Sequence, residues 1–323
     1  MDVELIKIDL PDLHSAVFSE TSLEDLQHER ILKKYASRFQ IYVSDFSQYK
    51  FRPHAVARLM GGMPKPLTER QAETLAAYQT KVTTGKGLTE KQYEDYGSLL
   101  AKKNAKPTLS PGAKTYLKEL FKEITFQRSK ELKSKYLDKG IVCEKDSIEA
   151  MKMFYGEDFQ KNTVRFENEW FTGEPDIING DEVIDVKSSW DYETFPMFDE
   201  ELENQTYYWQ IQAYMDLLEL QKGRVIYVLN DTPEEIIYEE KRRVSWQLGL
   251  INEELKFDLP EDLEFEIERN LRYEDIPTEA RIKEFTVVRN EKDIALVKEM
   301  VQLARLYMVD LSKSLEKRFV DHL

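Results

Sequence analysis

From Ser110 onward the apolar positions change period several times, and each change marks an element. Ser110-Pro111 reads as a helix cap plus first-turn proline, and an amphipathic basic helix is expected over Gly112 to Arg128. A second helix is expected from near Lys139 to about Phe154. Thr163–Phe171, Glu174–Ile178 and Val183–Ser188 are short runs rich in Val, Ile and aromatics, punctuated by Gly173 and Asn179-Gly180, and read as strands. Helical period returns over Glu203–Gln221, and two further strands are expected at Arg224–Asn230 and Glu235–Glu240. From about Thr278 to His322 the pattern reads as mostly amphipathic helix. Upstream, residues 1–100 read as mainly helical. Ser22-Leu23-Glu24-Asp25 resembles a helix start, and Leu67–Lys81 is a helix opened by Thr68. Gly61 to Pro66 and Asn104 to Pro107 read as loops. Helix, three strands, helix, strand is an α/β layout around a mixed sheet. The expected division is a mainly helical region over 1–109, a core over 110–245, and an acidic, helical extension over 246–323.

Composition narrows the class. At 323 residues with 41% hydrophobic and 33% charged positions, the chain can bury a core and keep a polar surface. No run approaches a bilayer span, and the first residues carry acids where an export signal would carry lysines, so no membrane partner is expected. The single cysteine, Cys143, excludes a disulfide or multi-cysteine metal framework within the chain and points to a reducing cytoplasm. Net charge is −15, which alone argues against nucleic acid. The charge is segregated, however. Ala101 to Gly140 holds eleven Lys/Arg against four Asp/Glu, whereas Asp231 to Asn270 holds five against thirteen.

The candidate chemistry sits in Gly173-Glu-Pro-Asp-Ile-Ile-Asn-Gly-Asp-Glu-Val-Ile-Asp-Val-Lys-Ser-Ser189. Asn179-Gly180 is a hairpin signal. A two-residue loop (Asn179-Gly180 or Gly180-Asp181) or a four-residue loop (Asn179 to Glu182) places Asp176 on the sheet face of Asp185, directly opposite or one diagonal step away; a three-residue loop does not. Asp185 and Lys187 share that face by alternation. Two such carboxylates repel, and a divalent cation, Mg²⁺ or Mn²⁺, relieves the repulsion. Lys187 could then orient or deprotonate an attacking water, or stabilise charge developing on a phosphate. In the preceding helix Glu144, Ile148, Met151 and Tyr155 form one stripe, so Glu144 points where apolar residues point. Downstream, Tyr207, Ile211, Met215 and Leu218 form a stripe with Gln210 and Tyr214 beside it.

As a set, these motifs resemble the PD-(D/E)XK nuclease superfamily, and most closely the phage λ-exonuclease/YqaJ-like viral recombinases. Gly140-x-x-x-Glu144, Pro175-Asp176, Asp185-Val186-Lys187 and Gln210-x-x-x-Tyr214 occur in the family order, over roughly residues 110–240. The resemblance implies a restriction-endonuclease-like core, a mixed central sheet flanked by helices with mainly helical additions at both ends. It implies Glu144, Asp176, Asp185 and the Val186 carbonyl as metal ligands and Lys187 as the catalytic lysine. Gln210 and Tyr214 would support the site or contact DNA. It further implies digestion of duplex DNA from a 5′ end, delivery of single strand to an annealing protein, and, in some relatives, closure into rings.

Family members often bind the 5′ phosphate through a serine-containing segment. The comparable stretch here, Lys50 to Gly61, lacks that serine and offers Arg52 and His54 instead. Lys114, Lys118 and Lys122 share a helix face, with Arg128, Lys130, Lys133 and Lys135 following, and could line a groove for DNA. An endonuclease on the same core, a non-catalytic recombination scaffold and an acidic adaptor are the rival readings.

Overall fold

The computed structural model describes residues 45–128, 135–250 and 259–321. The Ser22 helix start, Lys130 and Lys133 lie outside these residues. After 3-10 turns at Phe46–Gln48, Pro53–Arg58 and Met60–Gly62 come helices α1 (Glu69–Thr83), α2 (Glu90–Lys103), α3 (Pro111–Phe126) and α4 (Lys135–Tyr155). A two-stranded ribbon, β1 (Phe166–Glu167) and β2 (Thr172–Gly173), precedes the hairpin β3 (Ile177–Asn179) and β4 (Glu182–Ser188). Then follow α5 (Gln205–Leu218), β5 (Lys222–Val228), α6 (Glu234–Leu248), α7 (Glu261–Leu271), β6 (Ile282–Val288) and α8 (Glu291–Asp321).

The main sheet has the order β3-β4-β5-β6. β3 and β6 are antiparallel to their neighbours, and β4 runs parallel to β5 across the α5 crossover. Strand alternation divides the core in two. Val183, Val225 and Val287 face α5, whose Ile211 and Met215 are fully buried, with α3 and α8 behind it. Ile184, Val186, Ile226 and Val228 face Ile148 and Met151 of α4. Gly223 lets α5 approach: a Cβ there would sit 2.5 Å from Ile211 Cγ1. Ser110 caps α3, accepting from Ala113 N at 3.1 Å, with Pro111 in the first turn, as the sequence suggests. Thr68 likewise opens α1 with a capping box to Gln71.

Thr163–Phe171 is not one strand: only Phe166–Glu167 forms a strand there, antiparallel to Thr172–Gly173. Glu235–Glu240 is not a strand but the start of α6. Pro233 enters that helix, Glu234 and Glu235 sit favourably in its first turn, and only Ile237 and Ser245 of it are fully buried. The stretch from Thr278 is mostly helical, as expected, but between a 3-10 turn at Thr278–Ala280 and α8 it also holds a strand. Ile282–Val288 supplies the fourth strand, with Ile282, Phe285 and Val287 buried, so the region taken as an extension completes the sheet. α1 and α2 form a helical hairpin that buries little besides Leu75 and Leu99 and packs mainly on itself.

Candidate active site

The β3–β4 turn decides the register. Gly180 takes φ +61°, and Asn179 pairs with Glu182 across the two-residue loop Gly180-Asp181. That loop is one of the even-numbered choices, and the ladder continued by one residue sets Asp176 opposite Asp185. Asp176 Oδ2 accepts from Val186 N at 2.8 Å, which fastens it to β4.

Asp185 is 2% exposed. Its Oδ1 accepts from Gln210 Nε2 at 2.7 Å, and Lys187 Nζ stands 2.8 Å from Oδ2. Oδ2 has no well-directed hydrogen bond of its own. The Lys187 ammonium also lies 4.6 Å from the centre of the Tyr207 ring. Tyr214, one turn beyond Gln210, donates to the Glu174 carbonyl at 2.9 Å and so holds the segment leading into Pro175-Asp176. The helix motif therefore acts at both strands: Gln210 orients a carboxylate, and Tyr214 fixes main chain.

Glu144 of α4, Asp176, Asp185, Val186, Lys187, Tyr207, Gln210 and Tyr214 all line one open cleft of about 700 Å³ at the C-terminal end of β4, with His54 at its rim. The Glu144 carboxylate is engaged by Lys161 in an ion pair. Among the described residues, no three Asp, Glu, His or Cys side chains close into a ready-made ligand array. The carboxylates share the cleft, but each is held by its own partner.

The electrostatics follow from this crowding. Burial, then the charge of Asp185, pushes the Asp176 carboxyl up to about 7. Burial works against the Lys187 charge, but the Asp185 and Asp176 carboxylates outweigh it and raise its pKa. His54 is depressed by desolvation and by the cations Arg52, Lys187 and Arg58.

The remaining basic residues proposed from sequence are not in the cleft wall. Lys114, Lys118 and Lys122 are exposed on α3, Lys114 lying over the Tyr307 ring of α8 at 5.9 Å. Arg128 and Arg52 are exposed as well, and neither lines the cleft. Lys135 lies in α4. Two contributors escaped the sequence reading. Lys161 carried no motif. Tyr207 read only as a core position, although its place one helical turn before Gln210 was a usable signal.

No family profile matches the chain, and no curated protein matches it. Among solved structures, a phage-related exonuclease from Haemophilus somnus 129PT superposes with TM-score 0.56 at 24% identity, covering 83% of this chain and 97% of that one. The two share a fold. An alkaline exonuclease from Laribacter hongkongensis gives TM-score 0.47 at 11% identity, over 67% of this chain and 89% of that one. Among the described residues, no helix is long and apolar enough to cross a membrane.

Proposed function

We propose that this chain is a metal-dependent DNA exonuclease that hydrolyses the phosphodiester bonds of linear duplex DNA from its 5′ ends. The observation that carries the reading is the convergence of Asp176, Asp185, Lys187 and Gln210 at one end of β4, in a cleft shared with Glu144. The likeness to a phage-related exonuclease supports it, and the motif resemblance supplies the polarity, a role in phage-type recombination, and an annealing protein or a ring of copies as partners.

The donor set suits a hard divalent cation such as Mg²⁺ or Mn²⁺. It consists of oxygen ligands, it includes a buried Asp185 oxygen with no well-directed hydrogen bond, and Asp176 needs a positive neighbour to ionise fully at neutral pH. Glu144, Asp176, Asp185 and the Val186 carbonyl would hold the ion. When bound, it supplies charge neutralisation at the phosphate and a more acidic water.

The chain's own groups do the rest. Gln210 keeps Asp185 in one orientation. Lys187 is held over Tyr207 with its proton favoured, which suits it to stabilise charge on the phosphate oxygens rather than to accept a proton from water. Water attacks phosphorus and gives up a proton to solvent, the bridging P–O bond breaks, and the leaving oxygen takes up a proton from solvent.

The test uses duplex DNA labelled at the 5′ or the 3′ end, next to covalently closed circles, with Mg²⁺ present. The expected result is loss of the 5′ label from linear DNA and intact circles. Lys187→Ala should lower the rate by about 100-fold or more while DNA binding in chelator stays within about threefold. Cleavage of circles would select an endonuclease. An unaffected Lys187→Ala rate would remove the site.

A further inference from the structure

Two lysines serve as counter-ions to the cleft carboxylates. Lys187 answers Asp185 and belongs to the strand motif. Lys161 answers Glu144 and belongs to no motif. Its position is nevertheless fixed. The backbone at Lys161 bridges to Ile177 at the start of β3, and Asn162 N donates to the Asp176 carbonyl at 2.7 Å. The Asn162 side chain adds a 3.0 Å bond to the Pro175 carbonyl. Lys161 is thus tied to the same Pro175-Asp176 segment that carries a proposed ligand, and its side chain crosses from there to α4.

Glu144 is 21% exposed in its side chain and Lys161 53%, so the ammonium approaches the carboxylate from the solvent side. Among the described residues the three carboxylates form no ready-made array, and two of them already have a lysine partner, Asp185 in Lys187 and Glu144 in Lys161.

Resting on the metal-dependent reading above, we propose that Lys161 is a positioning residue that occupies Glu144 in place of the divalent cation and is displaced when the cation binds. A cation taking Glu144 must break this pair, so Lys161 weakens metal binding. In return it keeps Glu144 aimed near Asp176 while the site is empty of metal, limiting carboxylate repulsion there. Because half of the lysine side chain is in solvent, truncating it leaves no buried cavity and the fold stays intact.

The test is calorimetric titration of DNA-free protein with Mn²⁺ or Mg²⁺, which needs no turnover. Lys161→Ala should bind the ion about three- to fivefold more tightly than wild type, the range expected for removing a partly exposed competing pair. Lys161→Arg should keep wild-type affinity, because the positive charge remains. Unchanged or weaker binding by Lys161→Ala, with wild type binding normally, overturns this proposal alone. A wild-type protein that takes up no divalent ion overturns the metal reading itself, and this proposal with it.

Discussion

Asp176 carries the sharpest local consequence. Its carboxyl is raised by burial and by Asp185, so the folded, metal-free protein holds this proton to higher pH than the unfolded chain. The folded state then binds more protons between the ordinary carboxyl pKa of about 4 and about 7, and stability must fall as pH rises through that window. Asp176→Asn should abolish this contribution while its amide oxygen keeps the bond from Val186 N. In chelator, the melting temperature of Asp176→Asn minus that of wild type should therefore grow from pH 4.5 to pH 8. Added divalent ion should shrink the gap by stabilising wild type. Parallel pH profiles in chelator would show that Asp176 is not held in a costly site. Lys187 shows the opposite balance, because two carboxylates hold its charge despite burial.

At the scale of elements, the site depends on how closely α5 lies on the sheet. Gly223 of β5 makes that approach, since a methyl group there would meet Ile211 at 2.5 Å, and Ile211 is the residue after Gln210. Gly223→Ala should cost about 1–3 kcal/mol in urea unfolding, as overpacking does. It should also lower cleavage beyond what stability explains, because moving α5 stretches the 2.7 Å bond from Gln210 to Asp185. A variant with wild-type stability would show that α5 is not tightly seated.

This dependence also explains what the sequence could disclose. The β3–β4 hairpin, the Asp185/Lys187 face and the Gln210/Tyr214 pair are local patterns, and period plus a glycine turn suffices to read them. Glu235–Glu240 misled because Ile236, Ile237 and Tyr238 have strand propensity, whereas the helix shows itself by burying Ile237 alone among them. β6 was hidden because its partner β5 lies more than fifty residues upstream, although Phe285 and Val287 alternate with exposed Thr286 and Val288. The Lys161–Glu144 pair spans 17 residues and two elements, which no periodicity reports.

For the whole molecule, the C-terminal helix decides whether residues 246–323 are an appendage. α8 buries Val297, Met300, Val301, Ala304 and Met308 at helical spacing against the core that also contains Ile211, Met215 and Val225, and its Ile294 is buried as well. Its Arg305, 2% exposed, donates to the Tyr49 carbonyl at 2.9 Å and to the Glu169 carbonyl, and lies 5.0 Å from the Trp170 ring centre. The C-terminal helix thus holds the segment just before Arg52 and His54 together with the β1–β2 ribbon. Burial of each large apolar side chain is worth about 1.5–3 kcal/mol, so the five such residues of α8 contribute on the order of ten. Ordering the helix offsets part of that gain, but the net stability of an ordinary domain is itself only about 5–15 kcal/mol. A chain ending at Asn290 should therefore show no cooperative unfolding transition in urea, followed by circular dichroism, and Arg305→Ala in the full chain should lower the midpoint without abolishing it. If the shortened chain unfolds cooperatively near the wild-type midpoint, α8 is an addition to an independent core. If it does not, the sheet and its C-terminal helix are one cooperative unit, and the cleft at β4 exists only while that helix is docked.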